Sequence, residues 1–75
     1  MTREENILNR LNQLENRVKY CLDKDNLEKV GQIEHEICGM LNMAGLLGYR
    51  VISEEGEFYK GMWIYKHTKI EDVRR

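Results

Sequence analysis

The residue types best suited to chemistry are concentrated between residues 56 and 69, in the stretch GEFYKGMWIYKHTK. Most of the chain's aromatic side chains lie there, interleaved with lysines and a histidine. Such a mixture is typical of a site for an anionic or nucleotide-like ligand, because rings stack on bases and cations attract phosphate. Aromatics and lysines are also ordinary residues of half-exposed strands. The candidate ligand-binding residues are Lys60, Trp63, Lys66 and His67.

Two cysteines and two histidines supply the ligand types of a zinc site, and His35 and Cys38 stand three residues apart. In an antiparallel helical hairpin, Cys21 lies beside the start of the second helix, and Cys38 lies about ten residues, or ~15 Å, further along. The two thiols therefore reach neither a shared ion nor each other. We expect no metal, no cofactor and no disulfide within the chain.

Catalytic residue types are present without a convergent arrangement. Glu34, His35 and Glu36 are consecutive, so their side chains point in three directions around a helix. The only serine, Ser53, lies beside a predicted turn with no histidine patterned near it. Neither a dinucleotide-binding glycine motif nor a P-loop occurs. The sequence therefore predicts a protein that is not an enzyme.

Two helices must position these residues. Thr2 begins a capping box, and the apolar residues that follow recur three and four positions apart, which predicts a helix over about 3–23. Asp25 followed by Glu28 repeats the capping pattern, and a second apolar series predicts a helix over about 26–47. Because the connection is only a few residues long, we expect the two helices to form an antiparallel hairpin.

A change to a two-residue period after the second helix predicts a β-hairpin over about 49–66. We place Gly56 in its tight turn and Gly61 in a bulge of the second strand. Thr68 with Glu71 is a further capping pattern, which predicts a short C-terminal helical turn. The predicted fold class is α+β, with a helical hairpin followed by a β-hairpin and that turn.

Length and charge restrict the class of protein further. A chain of 75 residues forms a single domain, 1–75, and a chain so short buries only ~60% of its unfolded surface. The net charge is −1, well short of the basic footprint of a nucleic-acid binder. With no secretory leader, no apolar run of the ~18 residues that a membrane span needs, and only two cysteines, we expect a cytoplasmic chain away from membranes.

Two helices followed by an aromatic hairpin also form the outline of a winged-helix DNA-binding domain. The helix that leads into the hairpin would then carry donors for phosphates and bases. Residues 37–48, ICGMLNMAGLLG, contain no lysine, arginine or glutamine. The sequence therefore disfavours nucleic acid as a partner.

Two predicted surfaces indicate self-association. Small residues recur every seven positions along the second helix, so that either the chain's own sheet or a second chain can approach closely. Both faces of the β-hairpin are apolar, and a single helical hairpin covers only one of them. The predicted interface residues are Gly31, Cys38, Gly45, Ile52, Tyr59, Trp63 and Tyr65.

We therefore expect a small, non-enzymatic interaction or regulatory protein that forms a homodimer and binds another protein, of the accessory kind that mobile elements encode. The alternative is a protein that binds or sequesters a small anionic ligand through the aromatic and lysine residues of the hairpin. Convergence of Lys60, Lys66 and His67 on one cleft beside Trp63 would favour that alternative, and their dispersal into solvent would disfavour it.

Overall fold

The computed structural model of the chain describes residues 2–73 and consists of two helices followed by four short strands. The elements, in chain order, are α1 (Arg3–Asp23), α2 (Leu27–Leu46), β1 (Tyr49–Ile52), β2 (Glu55–Tyr59), β3 (Met62–Lys66) and β4 (Lys69–Asp72). The predicted α+β class is confirmed, and both helices lie within one residue of their predicted bounds. Neither helix in residues 2–73 is both long enough and apolar enough to cross a membrane.

The core lies along the seam between the two antiparallel helices. Leu11, Leu14 and Val18 of α1 and Ile33 of α2 are each at most 1% exposed. Burial of one such side chain contributes about 1.5–3 kcal/mol. Ile64 of β3 belongs to the same buried cluster. Packing of its side chain therefore holds the strands against the helices, in addition to the covalent connection between α2 and β1.

Polar side chains cap both helices, although the second cap differs from the prediction. Thr2 Oγ1 accepts a hydrogen bond from the backbone N–H of Glu5 at 3.2 Å, as expected of a capping box. At α2 the cap is Asn26, whose side-chain oxygen accepts from Lys29 N at 3.2 Å. The predicted cap, Asp25, instead has φ 56°, the left-handed conformation that commonly follows a helix end.

The four strands form one antiparallel ribbon that is interrupted once. β1 pairs with β4 and β2 pairs with β3. Ile52 faces Lys69 and, three residues further along each strand, Glu55 faces Lys66, so both pairs share one register. The predicted C-terminal helical turn is not formed, because Lys69–Asp72 is β4 and pairs with β1. A C-terminal helical turn would also have had Arg74 and Arg75 at its end, where cations are favourable; these two residues lie outside the described residues.

The tight turn of the ribbon lies at Lys60–Gly61, five residues after the predicted turn. Lys60 has φ 47° and Gly61 has φ 88°, the two positive angles that a type I′ turn requires. Gly61 is therefore part of the turn and not a bulge.

Gly56, the predicted turn residue, lies inside β2 and pairs with Tyr65. A Cβ atom at this position would lie 2.6 Å from the carbonyl oxygen of Ile64 and 2.8 Å from the indole of Trp63. Glycine is thus needed because the Trp63 ring packs directly on the backbone of the neighbouring strand.

The tip of the ribbon is attached to the end of α1 at Asp23. Its Oδ1 accepts a hydrogen bond from the Tyr59 hydroxyl at 2.6 Å and lies 2.9 Å from Lys60 Nζ. The Tyr59 hydrogen bond and the Lys60 contact lower the pKa of the Asp23 carboxyl, and the bond to Asp23 raises the pKa of Tyr59. This attachment holds the inner face of the ribbon against α1.

Candidate functional site

The ribbon is interrupted at residues 53–54, between β1 and β2, and at the facing residues 67–68, between β3 and β4. Here the His67 backbone bonds to a side chain of α1. Asn12 Nδ2 donates to the His67 carbonyl oxygen at 2.9 Å, and the His67 N–H donates to Asn12 Oδ1 at 3.0 Å. One side-chain amide therefore supplies both partners that a strand would have supplied to this residue.

The His67 ring is buried between a carboxylate and a hydroxyl group. It is 3% exposed, with Nε2 3.0 Å from Glu15 Oε2 and Nδ1 2.6 Å from Ser53 Oγ. Glu15, in the middle of α1, is itself 5% exposed. Within residues 2–73, no buried side-chain nitrogen or oxygen is without a hydrogen-bond partner. The cluster of Asn12, Glu15, Ser53 and His67, here called the His67 network, is thus a fully bonded polar junction between α1 and the ribbon.

The order carboxylate, imidazole and hydroxyl is also the order that activates a serine nucleophile. Acyl transfer further requires donors aimed at the oxyanion that develops in the transition state. Glu34 and Ser53 both line a groove between α2 and β3, where the Glu34 carboxylate would disfavour such an oxyanion. The His67 network is therefore better suited to joining two elements than to acyl transfer, and the absence of catalytic activity stays a prediction.

A groove of about 460 Å³ adjoins the His67 network, between α2 and β3. Its walls are mostly apolar and comprise Ile37, Cys38, Leu41, Met62, Trp63 and Tyr65. Burial raises the pKa of Glu34, and the charge of Glu15 adds to that effect. The groove is thus mostly apolar and carries carboxylates on one side. An anionic ligand would need positive charges there instead.

The four predicted ligand-binding residues do not meet in this groove. Trp63 and His67 line it, but Lys60 lies at the ribbon tip beside Asp23. Lys66 lines a different cavity, of about 480 Å³, and lies 3.8 Å from a carboxylate oxygen of Glu55. Each lysine faces an acid of the same chain, so the arrangement required by the anionic-ligand alternative is not formed.

The predicted aromatic interface residues lie on two different faces of the ribbon. Trp63 and Tyr65 are on the outer face, 45% and 50% exposed, whereas Tyr59 is on the inner face against α1. Ile52 is half-buried in β1. Phe58, absent from the predicted set, is 72% exposed and meets Trp63 edge-to-face with ring centroids 6.3 Å apart. We call Phe58, Trp63 and Tyr65 the aromatic row.

The small residues of α2 are open to solvent. Gly31, Cys38 and Gly45 are all exposed, and a Cβ atom built on either glycine meets no atom within 4 Å. The chain's own strands therefore do not cover these three residues, here called the small-residue stripe. Both cysteines are free thiols, with Cys21 buried. Within residues 2–73, no three His, Cys, Asp or Glu side chains are grouped to hold a metal ion.

The His67 network was missed at the sequence level because the turn was misplaced. Ser53 and Thr68 lie opposite each other once the turn is at Lys60–Gly61, and this places Ser53 next to His67. At the sequence level Glu55–Gly56 and Lys60–Gly61 were both possible turns, and turn chemistry alone does not choose between them. No protein-family model, no curated protein and no solved structure matches this chain.

Proposed function

We propose that this chain is a small, non-enzymatic interaction protein that forms a homodimer through the aromatic row and the small-residue stripe. One observation carries the proposal. Trp63 of the aromatic row and Cys38 of the small-residue stripe line the same groove, and both are exposed. The aromatic row and the small-residue stripe, which are distant in sequence, therefore meet at this groove.

The amount of exposed apolar surface supports an interface in this region. Phe58, Trp63 and Tyr65 are large side chains that stand next to one another and are about half or more exposed. Contiguous apolar patches of this kind are uncommon on monomers, and tryptophan and tyrosine are frequent anchors of interfaces. A chain of 75 residues has a small core of its own, so association adds burial that the monomer lacks.

The shape of the surface favours a second copy as the occupant. Trp63 and Tyr65 line one side of the groove and Cys38 of α2 lines the other. Gly31 and Gly45, seven residues to either side of Cys38, leave open space along the same helix. A twofold axis through such a surface would place the rings of each copy on the stripe of the other, so that every contact is made twice. The two free thiols support a cytoplasmic location, and the small size supports an accessory role of the kind encoded by mobile elements.

The test is the mass of the protein in solution, by native mass spectrometry and sedimentation. We expect a dimer for the wild type and a monomer for the double variant Trp63→Ala, Tyr65→Ala. Tyr20→Ala is the matched control, because Tyr20 is 63% exposed on α1 and lies outside the proposed surface. A wild-type monomer, or a double variant that stays dimeric, would contradict the proposal. A wild-type monomer that captures a different protein would replace the second copy with that partner.

A second pair of variants tests the stripe separately from the rings. Gly45→Gln and Gly39→Gln both replace an exposed glycine of α2 that has open space around it. Both should favour the helix, since glycine costs up to ~1 kcal/mol relative to better helix formers. Only Gly45 belongs to the small-residue stripe, so we expect Gly45→Gln alone to weaken the dimer. Equal dimer affinities would remove the stripe from the interface.

A further inference from the structure

The exposed side of α1 carries one row of cationic side chains and, parallel to it, one row of uncharged polar side chains. Arg3, Arg10, Arg17 and Lys24 recur every seven residues, and Asn6, Gln13 and Tyr20 form a second row, three residues on from the first. All seven residues are exposed. Positions seven apart share one side of a helix, and positions three apart are neighbours. We call these two rows the basic face of α1.

The carboxylates of α1 lie outside the basic face. Glu15 is turned towards His67, and Asp23 binds the tip of the ribbon. Glu4 has its pKa lowered by hydrogen bonds from backbone and from Tyr49, at the start of the ribbon. The fourth carboxylate, Glu5, is exposed in the first turn and belongs to neither row. The two rows themselves therefore contain cations and no acids.

The cations of the ribbon differ from those of the basic face in their pairing. The four ribbon cations are in ion pairs: Arg50 with Glu71, Lys60 with Asp23, Lys66 with Glu55 and Lys69 with Glu71. Lys19, on the ribbon side of α1, is paired with Glu57. Within residues 2–73, by contrast, Arg3, Arg10 and Arg17 form no ion pair, and Lys24 lies only over the ring of Tyr20, at 5.5 Å. Each unpaired guanidinium has five N–H donors directed at solvent.

We propose that the basic face of α1 binds duplex DNA. Arginine forks match phosphate oxygens and guanine edges, and asparagine and glutamine match adenine. From Arg3 to Arg17 the helix rises ~21 Å at 1.5 Å per residue, which is about six base pairs of duplex. A row of donors repeated every two turns suits a polymer with repeated phosphates better than a single small anion. The DNA major groove is wide enough to admit such a helix.

This inference goes beyond the proposed dimer and uses a different surface. The side of α1 that carries Asn12, Glu15 and Lys19 holds the ribbon, so the basic face points away from it. Nucleic acid was disfavoured at the sequence level because residues 37–48 contain no lysine, arginine or glutamine. The structure places the donors on the first helix instead of the helix that leads into the hairpin.

The test is fluorescence anisotropy with a fluorescein-labelled duplex DNA of about 20 base pairs and mixed sequence, in about 50 mM NaCl and upwards. We expect saturable binding that weakens as salt rises, with affinity in the 10⁻⁴–10⁻⁶ M range of non-specific DNA binding at physiological salt. Arg10→Ala with Arg17→Ala should lower the affinity at least tenfold. It should also reduce the slope of log K against log salt by about 1.8, since each phosphate contact contributes about 0.9.

Lys66→Ala with Lys69→Ala is the matched control, because it removes the same charge from lysines that are paired with acids. Its affinity should stay within about twofold of the wild type, as expected of screened surface charges. No binding at the lowest salt, or equal losses in both double variants, would overturn the proposal. Displacement of the DNA by polyglutamate of equal charge would also overturn it, in favour of an acidic protein. The dimer test changes Trp63, Tyr65 and Gly45, which lie outside the basic face, and its control Tyr20→Ala removes no charge, so each proposal stands or fails on its own result.

Discussion

Replacing Asn12 by alanine tests whether the His67 network holds the ribbon to α1. The substitution removes two hydrogen bonds to the His67 backbone, at 2.9 and 3.0 Å. Each bond contributes a net ~0.5–1.5 kcal/mol, and a partly buried N–H or C=O left unpaired costs ~1–3 kcal/mol. Alanine regains about 0.5 kcal/mol of helix propensity. We therefore expect the free energy of unfolding to fall by about 2–3 kcal/mol, from a total of about 4–11 kcal/mol for a chain of this length.

Urea denaturation measures this loss, followed by circular dichroism and by the fluorescence of the single tryptophan, Trp63. The control is Asn16→Ala, one turn further along α1 at an exposed position. It makes the same change in helix propensity, so the difference between the two variants isolates the His67 bonds. Hydrogen exchange gives a local readout, because the His67 amide should exchange faster in Asn12→Ala than in Asn16→Ala.

Asn12→Asp separates the two bonds, since a carboxylate accepts from the His67 N–H but cannot donate to its carbonyl oxygen. We expect this variant to be destabilised as well, because the carboxylate oxygen would face that carbonyl oxygen. Equal denaturation midpoints for Asn12→Ala and Asn16→Ala, together with unchanged exchange at His67, would refute the reasoning. The ribbon would then be held by its apolar contacts with the core alone.

Two further predictions concern the ribbon. Gly56→Ala should destabilise the fold and shift the Trp63 emission, because its Cβ would lie 2.6 Å from a backbone oxygen. Gly39→Ala, with no atom within 4 Å and outside the small-residue stripe, should stabilise the fold by up to about 1 kcal/mol. The reverse order of stabilities would contradict the close approach. The Arg50 guanidinium, 2.6 Å away, lowers the pKa of Glu71. Its stabilising effect is present above the unfolded-state pKa and is lost as pH falls through the folded-state pKa. Arg50→Ala should raise the Glu71 pKa in a carboxyl NMR titration; an unchanged pKa would disprove the coupling.

The position of the tight turn in the ribbon could not be predicted from local sequence. Glu55–Gly56 and Lys60–Gly61 are both a residue followed by glycine within a stretch of alternating polarity, and turn chemistry allows either. The choice between them depends on contacts with distant residues. With the turn at Lys60–Gly61, the ribbon tip reaches Asp23 at the end of α1. No pattern within residues 49–66 contains that information.

The same dependence explains why the predicted aromatic residues fall on two faces of the ribbon and why the His67 network was not seen. Trp63 and Tyr65 alternate along a single strand, so their common face follows from the strand alone. Tyr59 lies on the other strand and was assigned to the same face because the register was shifted. Phe58 belonged in its place, since Phe58 is the residue that pairs with Trp63.

The sequence by itself determined the two helices, their antiparallel pairing and their buried seam. Helix periodicity and capping depend on residues three or four apart, and a short connection leaves one way for two apolar faces to meet. Only the tertiary structure decided the ribbon register, the polarity of the groove and the His67 network. Glu15 and His67 are 52 residues apart, and their meeting depends on where the ribbon bends and on which face of α1 it crosses. Contacts at that separation depend on how whole elements pack, which no local spacing of residues records.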